Sequence, residues 1–144
     1  MNPEFRRNLW LEFSLHRLIA APVVIALALA LVAAASKKQA MDNLSGVGAW
    51  GFVLAVLLWG TQLAGTSVSS EARERTWDAQ RMSAIGPWAM TWAKLAGAPA
   101  FAWYIGLICL PVFVLCGLAA GSLPVFRLAA AMICGALMLH GAAL

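Results

Sequence analysis

Four long apolar stretches, Leu18–Ala35, Val47–Val68, Leu95–Leu118 and Val125–Ala143, are separated by short polar or charged segments. A hydrocarbon core about 30 Å thick is crossed by roughly 20 apolar residues of helix, and each stretch qualifies or nearly so. No stretch alternates apolar and polar residues over the ten-residue length of a lipid-facing barrel strand, and an open sheet edge is not satisfied in lipid. The pattern predicts an all-α fold: a polytopic membrane helix bundle of about four spans, at 18–35, 47–68, 95–118 and 125–143, forming one transmembrane domain over 1–144. The first apolar run is longer than the core of a signal peptide and three more follow it, so it reads as a retained span.

The segment ahead of the first span, 1–17, reads as an interfacial helix. Asn2 suits an N-cap, Pro3 the first helical position and Glu4 the positive end of the helix dipole. Phe5, Leu9 and Phe13 form one apolar stripe and Leu11, Leu15 and Leu18 another, with Arg6, Arg7 and Arg17 between them. The arginines are expected to snorkel to head groups while the chain bends into the first span near Pro22. The alternative is a longer first span with a basic end. Between the first two spans, "SKKQAMDNLSG" is short, polar and rich in turn formers, as in an external loop.

Two features inside the spans bear on packing. Pro99 and Pro111 each remove a backbone donor from the third span, freeing the carbonyls of Leu95 and Leu107, and are expected to kink it. Broken helices line transport paths, and proline is also ordinary in membrane helices, so the kinks carry either reading. Small residues recur four apart at Gly51/Ala55, Gly60/Ala64, Gly117/Gly121 and Ala131/Gly135, a spacing that lets helix backbones approach closely in lipid.

Composition agrees with the pattern. The chain is 62% hydrophobic and only 11% charged, far from the quarter usual in soluble domains. Cys109, Cys116 and Cys134 all fall in predicted spans without metal-type spacing, which favours packing over disulfides. Of the ten basic residues, Arg6, Arg7, Arg17, Arg73, Arg75, Arg81 and Lys94 flank the spans on one side, against Lys37, Lys38 and Arg127 on the other. The excess places the N-terminus and the central segment in the cytoplasm, as in a bacterial inner membrane protein. The net charge of +4 then reflects topology and contact with the anionic lipid bilayer, not nucleic acid, because no basic patch is interleaved with stacking aromatics.

Charge gathers in one place. The cytoplasmic segment 69–94 holds six of the sixteen charged residues between Glu71 and Arg81. With Ser69 or Ser70 as cap and Glu71 and Glu74 in a first turn, it reads as a short helix ended by Gly86 and Pro87. Glu71 and Arg75 attract at i,i+4 whereas Glu74 and Asp78 repel, and each effect is only a few tenths of a kcal/mol. Local pairing therefore does not explain the cluster. Topology alone needs only basic residues, and three acids beside three arginines suit a surface that docks a partner by charge complementarity. Trp88 and Trp92 suit the interfacial belt on the way back to the bilayer.

At these residues the chain resembles the permease subunits of ABC-2 type transporters. That family begins with "NP" and a basic, glutamate-containing helix, as does "MNPEFRRNLWLEF"; after its second span it carries a stretch like E-R-E-x-G-T-hydrophobic-E, a small/Pro element and then G-K. The matching positions are Glu71, Arg73, Glu74, Thr76, Trp77 and Asp78, then Ser83 to Pro87, then Ala93 and Lys94. Arg75 stands where the family has glycine, "AQRM" replaces a leucine-rich stretch, and Ala93 replaces the glycine of G-K. The resemblance covers about Asn2 to Pro111. It implies that Glu71, Glu74, Arg75, Thr76, Trp77, Asp78 and Arg81 form a coupling helix resting on a separate ABC ATPase subunit. It further implies a dimer with a second permease copy or a homologous permease, and an export function. The family has six spans, so the apolar ending "LMLHGAAL" suggests a chain that continues beyond Leu144.

Other chemistry is sparse. No Asp or Glu lies within a predicted span, which disfavours proton coupling. No G-x-x-x-x-G-K-[ST] loop is present, so the chain is expected to bind no cofactor and to be no enzyme itself, with ATP used by the partner subunit. His16 and His140 are lone histidines far apart in sequence, which makes a metal site unexpected; His140 is expected to hydrogen-bond across helices. Thr61, Gln62 and Thr66 place polar groups about one turn apart on the second span, where they either line a path or bond between helices. The competing function from another class is a non-transporting membrane scaffold that recruits a cytoplasmic partner through the same charged helix.

Overall fold

A computed structural model of the chain describes residues 13–73, Trp88 and residues 92–143. Among them there is no strand; the elements are five α-helices, two π-helical segments and one 3-10 turn. Four helices are long and apolar enough to cross a bilayer: Leu15–Ala35, Lys37–Ser67, Ala100–Ala119 and Val125–Ala143. This is the all-α, four-span architecture that the hydropathy pattern predicts and that of an integral membrane protein.

Helix α1 (Leu15–Ala35) starts at Ser14, which adopts extended backbone and accepts the Arg17 N–H on its hydroxyl at 3.3 Å. The span helix thus begins ahead of the expected boundary at Leu18, and it runs on through Pro22 without ending. Proline has no N–H to give to the carbonyl four residues earlier, which is that of Leu18. Tyr104, reaching from another helix, donates its phenol O–H to that carbonyl at 2.9 Å. In lipid such an orphan acceptor has no water to turn to, so a neighbouring helix must satisfy it. No residue of α1 is buried; the helix lies on the outside of the bundle.

The expected loop 36–46 is mostly helical. Ser36 closes α1 through its N–H to the Val32 carbonyl, Lys37–Gln39 form a 3-10 turn with Lys37 at φ 29°, and helix α2 (Ala40–Phe52) follows at once. Asn43 from the first turn of α2 donates to the Ser36 hydroxyl at 2.9 Å, which ties the two helices at the reversal. Polar composition signals exposure here, and the turn needs only a few of those residues.

Helix α2 passes into a π segment (Val53–Gly60) and then into α3 (Thr61–Arg73) without a break. After the charged segment the chain re-enters at Trp92, makes a second π segment (Ala93–Gly97), and turns at Ala98 and Pro99 into α4 (Ala100–Ala119). Pro99 therefore sits at the N-cap of α4, its carbonyl accepting the Trp103 N–H at 3.0 Å, while Pro111 lies inside α4. The two prolines differ in kind: Pro99 marks a break between elements and Pro111 is carried within a continuous helix. Helix α4 ends at Gly121, φ 82°, with the Ser122 N–H on the Gly117 carbonyl and the Gly121 N–H on that of Leu118, both at 2.9 Å. These two bonds define a Schellman motif, in which glycine takes the left-handed backbone at little steric cost. Helix α5 (Val125–Ala143) completes the bundle.

The core lies between the second, third and fourth spans. Phe52, Ala55, Val56, Cys109 and Ala136 form one buried cluster; Phe113, Val125 and Ala129 form another towards the α4–α5 turn. Helix α2 meets α4 at backbone distance: a methyl group on Gly48 would sit 2.6 Å from the Phe113 amide nitrogen and 2.9 Å from the Cys109 carbonyl oxygen. Ser45, also on α2, donates from its buried hydroxyl to the Phe113 carbonyl at 3.0 Å. Near the start of α1, Phe13, Trp59, Phe101 and Tyr104 pack edge-to-face or stacked at ring separations of 5.9 to 6.2 Å. Aromatic pairs of this geometry add about 0.5–1.5 kcal/mol beyond their buried area.

Candidate functional site

The charged run begins as a continuation of a span. Helix α3 extends unbroken to Arg73, whose side chain is exposed, so Glu71 lies in its last turn. Ser69, expected as an N-cap, instead donates to the Thr66 carbonyl at 3.1 Å as a mid-helix residue does. The helix start expected at Ser69 or Ser70 is corrected accordingly. Glu74, Arg75, Thr76, Trp77, Asp78 and Arg81 lie outside the described residues. Both flanks of the run are described and they meet: α3 packs against the second π segment, which leads out of it, and against the last turns of α5. Near Gly65 the closest atoms of α5 belong to Ala143, 3.7 and 3.8 Å from where a methyl group would stand.

The threonines of the second span bond back to their own helix. Thr61 donates to the Leu57 carbonyl at 2.5 Å and Thr66 to that of Leu63 at 3.1 Å, while Gln62 and Thr66 are exposed. Of the two expectations, bonding between helices is not what the threonine hydroxyls do. The face of α3 that packs in the bundle carries Ala64, which is fully buried, and Gln62 and Thr66 lie away from it. Residues on that outer face line a path only if another helix covers it.

Among the described residues, Ser45 and His140 are the buried polar side chains, and His140 is the more deeply enclosed. It is fully buried, its Nε2 lies 3.0 Å from the Val56 carbonyl in the first π segment, and its ring meets the Trp103 ring edge-on at 5.6 Å. A carbonyl only accepts, so Nε2 is the donor. Among the described residues its Nδ1 has no hydrogen-bond partner. The expected bond across helices is present. It depends on a glycine, because a methyl group on Gly60 would stand 2.8 Å from Nε2.

The described residues form an apolar groove and a polar pocket on the bundle surface. An apolar groove of about 490 Å³ lies between Phe13, the re-entry at Trp92 and Leu95, Trp103 and Tyr104 of α4, and Leu137 of α5. A polar pocket of about 380 Å³ at the opposite end is lined by Lys37, Lys38, Asp42 and the end of α4. Among the described residues no three His, Cys, Asp or Glu side chains come together as metal ligands.

No family model, curated protein or solved structure matches the chain. The site residues that sequence reasoning missed are Tyr104 and Ser45, each of which takes up a backbone carbonyl of another helix. One signal for Tyr104 was present: it is the only tyrosine, in a chain whose first span contains a proline.

Proposed function

We propose that the chain is the membrane-spanning permease subunit of an ATP-driven ABC-2 type transporter, working as an exporter in a bacterial inner membrane with its N-terminus in the cytoplasm. The subunit pairs with a second permease, and the pair rests on two ATPase subunits. The observation that carries this reading is the six-charge run Glu71–Arg81, held between two membrane helices whose adjoining ends pack on one another. A charged segment anchored at both ends to packed helices transmits a push into them, where a freely tethered loop absorbs it. The ordered likeness of Glu71, Arg73, Glu74, Thr76, Trp77 and Asp78 to the permease stretch supports the same role. Nucleotide hydrolysis belongs to the partner, since the chain carries no phosphate-binding loop.

The test is co-purification of the full chain with a candidate ATPase, comparing wild type with the double charge reversal Glu74→Lys, Asp78→Lys. Reversing two charges in a docking surface turns attraction into repulsion, and a loss of at least tenfold in ATPase binding is expected at low salt. Binding and transport that survive the reversal unchanged overturn the coupling assignment.

A further inference from the structure

The second span contains eight residues, Val53–Gly60, in π-helical closure. A turn widened to i→i+5 is rare beyond a single turn, is found frequently at functional sites, and persists where surrounding contacts over-determine it. Here one residue of another helix supplies two of those contacts. His140 of α5 gives its Nε2 proton to the Val56 carbonyl at 3.0 Å, and the same ring lies against Gly60, where any methyl group would stand 2.8 Å from Nε2 and 3.2 Å from Cε1. In a regular α ladder the Val56 carbonyl is served by the Gly60 N–H. His140 reaches the same carbonyl from the neighbouring helix. Trp103, edge-on to the imidazole at 5.6 Å and to Phe52 at 6.2 Å, holds the ring in place from α4.

We propose that His140 is a latch that holds Val53–Gly60 in its wide form, and that its release lets the segment tighten to α closure and turn α3 about its axis relative to α2. The face of α3 now packed in the bundle carries the buried Ala64, with Gln62 and Thr66 outside, so the turn exchanges which residues face inward. Packed helices have a few discrete arrangements and not a continuum, which makes a change of closure a step. The inference goes beyond the transporter reading and does not rest on it, because every readout below uses the chain alone.

The experiment is a nitroxide scan of residues 61–67 in α3 and, as reference, 41–47 in α2, in the full chain reconstituted in lipid nanodiscs with its three cysteines replaced. Oxygen accessibility in the otherwise unaltered chain is expected to peak at 62 and 66 and to fall at 64. His140→Leu fills the space without a donor; the ratio of wide to tight closure is expected to fall about threefold or more, the effect of one interhelical hydrogen bond, and the accessibility peak in α3 to move while that of α2 stays. His140→Gln retains a donor near the Nε2 position and is expected to keep the original phase. An unmoved peak in His140→Leu overturns the latch. Where that variant does not fold, 15N-histidine NMR of the unaltered chain decides, with His16→Gln assigning the two histidines: an Nε2 without a hydrogen bond overturns the proposal, and a bonded Nε2 supports it.

Discussion

A proline and a tyrosine 82 positions apart act as one unit, since Pro22 takes away the donor that Leu18 needs and Tyr104 returns one from α4. The pair makes a prediction with its own control. Tyr104→Phe keeps the ring contacts with Phe13 and Phe101 and removes only the O–H, so it is expected to cost about 1 kcal/mol in mixed-micelle unfolding. In the Pro22→Ala background the backbone N–H at position 22 serves Leu18, and the same tyrosine substitution is expected to cost close to nothing. A double-mutant cycle measures the difference, and equal costs in the two backgrounds would show that the phenol does not act on the proline-freed carbonyl. The threonines of the second span teach the opposite lesson. Thr61 and Thr66 look like interhelical or path-lining groups in sequence, yet each hydroxyl has a carbonyl of its own helix within reach, and that local bond is made first.

At the scale of helices, contact in this bundle is set by where side chains are absent. Gly48 lets α2 lie on the backbone of α4, whereas Gly135 has nothing within 4 Å of an added methyl group. Gly48→Ala is therefore expected to destabilise by about 1–3 kcal/mol, since the clash is with backbone atoms that cannot rotate away. Gly135→Ala is expected to be neutral or slightly stabilising through helix propensity. Chemical unfolding of both variants checks the contrast; equal effects would mean that the α2–α4 approach is looser than described. The sequence pattern of small residues four apart finds Gly51, Ala55, Gly60, Ala64 and Gly117, all at contacts or buried, and also Gly121 and Gly135, where no described atom lies within 4 Å of an added methyl group. It misses Gly48, which has no small residue four positions away, and it leaves out Ala102/Gly106, where Ala102 is fully buried and a methyl group on Gly106 would meet Val56 at 2.5 Å. Spacing shows which faces permit close approach; which helix arrives is a tertiary fact. Likewise the number of spans is legible from hydropathy, because lipid imposes a length, while the π segment Val53–Gly60 is not, because its closure depends on His140 and Gly60 meeting from two helices. Of the candidate coupling residues, Glu71 is placed in the last turn of α3, and the others lie outside the described residues.

For the molecule as a whole, four crossings bring the Ser14 end of α1, the Arg73 end of α3, Trp92 and the Ala143 end of α5 to one side of the bundle. Gly65 beside Ala143, and Lys37 and Lys38 beside Ala119 and Ala120, are the contacts expected of that arrangement. Which side faces the cytoplasm then depends on the count of basic residues near the spans, seven (Arg6, Arg7, Arg17, Arg73, Arg75, Arg81, Lys94) against three (Lys37, Lys38, Arg127). The prediction is made with single thiols in a chain whose native cysteines are replaced. Gln80→Cys is expected to resist a membrane-impermeant maleimide in intact cells and to react once the cells are opened, while Gln39→Cys, exposed in the turn between α1 and α2, reacts from outside. Because the charge difference sets the orientation, Arg6→Gln with Arg7→Gln narrows it to five against three and is expected to let part of the population insert the other way, so that both thiols become partly reactive in intact cells. A Gln80→Cys thiol that reacts fully from outside in the otherwise unaltered chain puts the charged segment on the far side of the membrane from any ATPase. No docking role for Glu74 or Asp78 survives that result, whatever the helices beneath them do.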